Sequence, residues 1–315
     1  AAGHNVTVRD HETAVGVTIT NNVNSWVTIS IDGRLDLSGQ LTLGTTANRG
    51  RAEIDGELQF DDGSSVLNAT TQRLIIQDDG IYRMNYSTGG VIYAADFQSG
   101  STIEFTGYND LAAVGPTLAV TPTAFHNFVW NATAQGNDID LDGILSIVNG
   151  DLTVSSTGPD FWFLMLSDGG NVTANVTGNF SILNDSYVYL SGYSGGADVD
   201  LTVGGDVIVE VDDFYAFTLS GSSGDATLNV DGNFRLDSPN GSVFMTEGNG
   251  PATINSLGDF DILNGVLANP GTGTADVNFE GAVVHDFTNN GTISNAVNFN
   301  VASLSTLNLG TSAST

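Results

Sequence analysis

Residues 137–154 read NDIDLDGILSIVNGDLTV. The start, Asp138-x-Asp140-x-Asp142-Gly143, has the letters of a calcium-binding EF-hand loop. Such a loop needs a bidentate Glu at its twelfth position, and here that position is Asn149. It also needs a helix on each side. Instead Ile139 and Leu141, Leu145 and Ile147, then Leu152 and Val154 alternate with polar residues, the period of a strand with one buried face. The segment therefore reads as strand, glycine, strand, and no metal site is expected from it.

The same unit recurs along the chain. It is seen as ISIDGRLDL around Gly33, AEIDGELQF around Gly56, IDLDGILSI around Gly143 and ANVTGNFSI around Gly178. It continues as LTVGGDVIV around Gly205, LNVDGNFRL around Gly232, INSLGDFDI around Gly258 and VNFEGAVVH around Gly281. From Gly178 onward the steps are 27, 27, 26 and 23 residues. Four residues before the glycine stand Ile29, Ala52, Ile139, Ala174, Leu201, Leu228, Ile254 and Val277. Two after it stand Leu35, Leu58, Leu145, Phe180, Val207, Phe234, Phe260 and Val283. These positions share one parity and so one face, which is expected to point inward. The glycine shares that face, where a missing side chain allows a bend or a close backbone approach. On the opposite face Asn175, Asn229, Asn255 and Asn278 occupy one column, as stacked amides would.

A third strand follows each pair, as in FWFLMLSDG (161–169), SYVYLSG (186–192), FYAFTLSG (214–221) and SVFMTEG (242–248). A unit this short cannot bury its own apolar face, but stacked copies can. The expected fold is all-β: a parallel β-helix, or β-solenoid, of about a dozen coils, each 23–29 residues long. Residues 1–315 are expected to form a single solenoid domain. Within 87–136 the stretch LAAVGPTLAVTPTAFHNFVW (111–130), with Pro116 and Pro122, breaks the pattern and reads as an irregular loop or modified coil. A β-sandwich array also has many short strands, but it does not require columns that keep register over successive steps of this size.

The chain carries 36 acidic residues against seven Arg and no Lys, a formal net charge of −29, which excludes a nucleic-acid-binding surface. The same charge argues against docking on an anionic membrane, and no run is long and apolar enough for a membrane helix. There is no Cys, so disulfides and thiolate metal sites are excluded.

No catalytic constellation stands out, and no enzyme activity or cofactor is expected. The acid pairs Asp61–Asp62, Asp78–Asp79 and Asp212–Asp213 stand at turns or strand starts, where Asp is favoured anyway. His4, His11, His126 and His285 are scattered, and Arg49–Arg51 is the one close arginine pair. Aromatic residues are the one concentrated feature. Aligned on the ends of the third strands, Phe163, Tyr187, Tyr189 and Phe244 fall opposite the Leu column, with Phe161, Trp162 and Tyr215 nearby. Exposed, this stripe would stack on sugar rings or on a partner; covered by a loop, it would be a second buried layer. The four aligned residues are the candidate ligand-binding set.

The phrases GHNVTV (3–8), GSTIEFTGYND (100–110), NVTGNFSI (175–182) and FTNNGTISNAVNFNVASLSTLNLG (287–310) resemble the β-helix repeat regions of large secreted, surface-attached, adhesin-like proteins of Bacteroidota. The resemblance implies an exported, extracellular or cell-surface protein, often one piece of a longer chain. Expected partners are a longer parent chain or further copies joined end to end, and glycans. The expected role is a structural or adhesive solenoid; the alternative is a carbohydrate-binding or polysaccharide-degrading β-helix.

Overall fold

The computed structural model describes residues 4–14, 16–19, 27–44, 50–112, 114–120, 124–160, 162–211 and 214–310. These residues contain no helix. They form a parallel β-solenoid of about 11 coils. At the usual strand spacing of about 4.8 Å this makes a rod on the order of 50 Å long.

One coil shows the construction. Val199–Val203 runs to a corner at Gly205, Val207–Val211 leaves it, and Tyr215–Ser220 is the third strand. Each pairs in parallel with its counterpart one coil away: Leu201 with Leu228, Val207 with Phe234, Phe217 with Val243. The strand after the corner forms an unbroken ladder from His11–Ala14 to Thr306–Leu309. The strand before the corner forms two separate ladders, one ending at Asp96–Phe97 and the other starting at Ala124–Phe125.

The apolar columns point inward. Ala52, Leu201, Leu228, Ile254 and Val277 are buried before the corner, and Leu35, Leu58, Phe180, Val207, Phe234 and Phe260 after it. Phe234 and Phe260 stack nearly parallel with centroids 4.5 Å apart. The corner needs glycine because successive backbones come too close for a side chain. At Gly56 a Cβ would lie 2.0 Å from the Gly33 carbonyl oxygen, and at Gly258 it would lie 2.2 Å from that of Gly232.

Two positions differ from the sequence alignment. Gly143 is not a corner. Ile139–Asp140 pairs with Leu164–Ser167 and is therefore a third strand, while Ile147 and Val148 pair with Asn175 and Val176 ahead of the true corner at Gly150. Gly281 is not a corner either. Phe260 pairs with Phe287, so the corner position equivalent to Gly258 is His285, 27 residues on, and Val283 and Val284 are exposed. Gly143 and Gly281 instead hold left-handed turns, with φ of 73° and 85°.

Two side-chain ladders run up the rod. In the first, Asn255 Nδ2 donates to Asn229 Oδ1, Asn278 to Asn255 and Asn300 to Asn278, at 2.8, 2.8 and 2.9 Å. Asn175 is separated from it, because its partner in register is Thr202. The second ladder was not anticipated from the sequence. Directly after the corner stand Asn127, Asp151, Asn179, Asp206, Asn233, Asp259 and Asp286. The side-chain Oδ1 of each accepts the backbone N–H of the next, at 2.7–3.1 Å throughout. Asn and Asp alternate until the last step, so carboxylates stand roughly 10 Å apart, about one Debye length at moderate salt.

The segment within 87–136 is largely wound into the rod. Thr102–Phe105 and Asn127–Asn131 continue the ladder after the corner. Tyr108, Phe125, Phe128 and Trp130 are fully buried, and Phe105 stacks on Trp130 at 5.1 Å. Trp130 Nε1 donates to buried Gln135, whose amide donates to the Asn137 and Phe163 carbonyls at 2.8 and 2.9 Å. The irregular part is its outer turn, where Leu111, Val114 and Val120 are exposed; Pro122 lies outside the described residues.

Candidate functional site

The third strands place one face in the core and the other outside it. Leu164, Val188, Phe217 and Val243 share a register and are buried within. Met165, Tyr189, Thr218 and Phe244 occupy the next register position, on the outer face. The outward parity of the candidate aromatic residues therefore matches their alignment, but they are not an exposed stripe. Tyr187, Tyr189 and Phe244 are only 1, 6 and 8 % exposed, and Phe163 is half-buried.

They are covered by further rings. Phe163 packs on Tyr189 at 4.7 Å and on Tyr193 at 6.0 Å. Tyr187 packs on Tyr215 at 5.8 Å, and Tyr215 on Phe214 and Phe244 at 4.8 and 5.5 Å. The rings most open to solvent here are Tyr193, Phe214 and Tyr215. Tyr215 was noted beside the stripe in the sequence; Tyr193 was missed, because it lies past the strand in a turn whose path sequence periodicity does not fix. Trp162 is half-buried, and Phe161 lies outside the described residues.

Together these residues frame an open cleft of about 470 Å3, lined by Phe163, Tyr189, Tyr193, Tyr215, Gly221 and Glu247. Of the four candidate residues, Phe163 and Tyr189 line it, while Tyr187 and Phe244 pack behind it. Four successive coils contribute. Gly221 keeps the cleft open, since a Cβ there would lie 2.8 Å from the Tyr189 ring. The Tyr189 hydroxyl donates to Glu247 Oε2. Burial, and then the Glu247 carboxylate, push the Tyr189 phenol well above its ordinary pKa.

Burial also raises the phenols of Tyr82, Tyr86 and Tyr108. A phenol whose pKa is higher folded than unfolded adds stability below the ordinary value of about 10 and loses it as pH rises towards the folded value. Ionisation of Tyr82, Tyr86, Tyr108 and Tyr189 should therefore appear as tyrosinate absorbance only above the ordinary phenol range. That absorbance should rise together with loss of the β circular-dichroism signal. A single phase near pH 10 with the fold intact is the contrary result.

Carboxylates elsewhere accept from backbone N–H groups, side-chain amides and hydroxyls, or arginines. Asp138 and Asp140 accept the N–H groups of Phe163 and Asp142 at 3.0 and 2.8 Å, and burial raises the pKa of both. Asp61 accepts from the Gln59 and Asn85 amides, and Asp62 accepts the Ser87 N–H. Asp212 and Asp213 lie outside the described residues. Arg83 bridges Glu57 and Glu104, while Arg34 binds Asp36 and Glu57. Burial opposes ionisation of Asp36, but hydrogen bonds from Arg34 and His11 outweigh it and hold its pKa low. Arg51 pairs with Glu53; Arg49 lies outside the described residues. Among the described residues no three His, Cys, Asp or Glu side chains are placed to share a metal ion, and no helix is long and apolar enough to cross a membrane.

Comparison with protein-family models, with curated protein sequences and with solved structures finds no match to this chain.

Proposed function

We propose that the chain is an extracellular structural or adhesive β-solenoid, a rod that holds a recognition cleft on one side. The observation that carries this reading is the aromatic cleft, assembled from four coils and projecting away from a core that the ladders already complete. Aromatic rings half-open to solvent make contact area at little entropic cost, as adhesive surfaces require. The rod would belong to a larger surface protein or a self-associating fibre. Either arrangement would add strands edge to edge, as successive coils already do within the rod. With −29 charges per chain, such joining should weaken as salt is lowered, which light scattering across a salt series would show.

The alternative, a carbohydrate-binding or polysaccharide-degrading β-helix, draws on the same cleft, because Glu247 is a carboxylate beside sugar-sized aromatic walls. The two are separated by incubating the protein with immobilised neutral and acidic polysaccharides. The adhesive reading expects retention on a surface without release of new reducing or unsaturated ends. Turnover of any of them overturns it.

A further inference from the structure

The geometry points to an organic cation as the occupant of the aromatic cleft: a quaternary ammonium group of the choline type, with no phosphate attached. This names the ligand class of the cleft that the adhesive reading uses, and so rests on that reading. Three observations carry it. The first is the lining. Phe163, Tyr189 and Tyr193 form one continuous wall, with the Phe163 ring inclined 59° and 73° to the other two, and Tyr215 stands in the same cleft from the next coil. Ring faces attract a cation through their quadrupole, and a fully methylated ammonium needs no hydrogen bond to be satisfied.

The second is charge. Glu247 is the one ionisable acid in the lining, and no arginine lines the cleft. Six of the seven arginines lie at or before Arg83, so the surrounding chain adds negative potential. That field draws in cations and repels phosphate or carboxylate groups. The third is hydrogen bonding. The Tyr189 hydroxyl is already committed to Glu247. A sugar would need that group for its own hydroxyls, whereas an alkylammonium leaves the bond intact and places its charge against both partners.

The test is a calorimetric titration of the whole chain with choline, phosphocholine, the neutral isostere in which carbon replaces the quaternary nitrogen, and methyl glucoside. Choline should bind saturably, and the neutral isostere and phosphocholine about tenfold or more weakly. Glu247→Gln should weaken choline about tenfold. Tyr193→Ala and Tyr215→Ala should each weaken it several-fold. Both rings are partly in solvent, so these variants should keep the wild-type circular-dichroism spectrum. Equal binding of the neutral isostere, full affinity in E247Q, saturable binding of methyl glucoside that choline does not displace, or no choline binding overturns the inference. Surface retention without choline binding would remove this inference and leave the adhesive reading standing. Polysaccharide turnover would remove the adhesive reading instead.

Discussion

Leu228→Asp should prevent the central coils from forming. Leu228 is fully buried and stacked in register between Leu201 and Ile254. A carboxylate placed there loses its water and gains no partner, at an effective cost on the order of several kcal/mol. Whole domains are stable by roughly 5–15 kcal/mol, so one such change removes much of the margin. In a solenoid the damage should spread by nearest-neighbour contacts. Hydrogen exchange should show protection lost first in Val199–Val203, Ala226–Val230 and Ala252–Ser256. Leu228→Met keeps volume and polarity and should cost less than about 1.5 kcal/mol. Unfolding of the Asp variant at the wild-type temperature would mean that this column does not face the core.

Gly56→Ala should be nearly as damaging, although it adds a single methyl group. The new Cβ would sit 2.0 Å from the Gly33 carbonyl oxygen and 2.6 Å from that of Asp32. Both atoms are backbone, so the coils themselves must move apart and stretch the hydrogen bonds between them. A cost of about 1–3 kcal/mol or more is expected. Gly169→Ala is the control, because a Cβ there meets nothing within 4 Å. It should change stability by less than about 0.5 kcal/mol. Equal melting temperatures for the two variants would exclude close approach as the reason for glycine at the corner.

The contrast also explains what could be read from the sequence. The solenoid was legible because packing demands recur at every coil: apolar residues at fixed parity, and a residue without a side chain where backbones touch. The same letter misled at Gly143 and Gly281, since a glycine required by a left-handed φ looks identical to one required by crowding. His285 concealed a corner for the opposite reason. There a buried imidazole occupies the position, its ring nitrogens facing the Gly258 and Glu280 carbonyls at 2.8 and 2.9 Å. The Asn229–Asn255–Asn278 column was visible because it repeats one residue type. The ladder from Asn127 to Asp286 mixes Asn with Asp and escaped notice, although both offer the same oxygen to the next coil. In the cleft, strand parity set Phe163 and Tyr189 on the outside. Which rings meet solvent depends on turns such as that bearing Tyr193, and period-two alternation carries no information about those.

The ladder that follows the corners also gives the rod an arrow. In every rung the acceptor oxygen belongs to the earlier coil and the N–H to the later one. At this position a finished coil presents a waiting acceptor, and the incoming segment supplies the donor. Along this ladder the growing end offers a side-chain oxygen, which water solvates readily, beside the backbone N–H groups that wait for carbonyls of the next coil, and each addition closes a loop of one coil. Every coil is in this sense a mould for its successor. A chain emerging N-terminus first can set like a zip fastener, each tooth engaging the one just closed, without waiting for its far end.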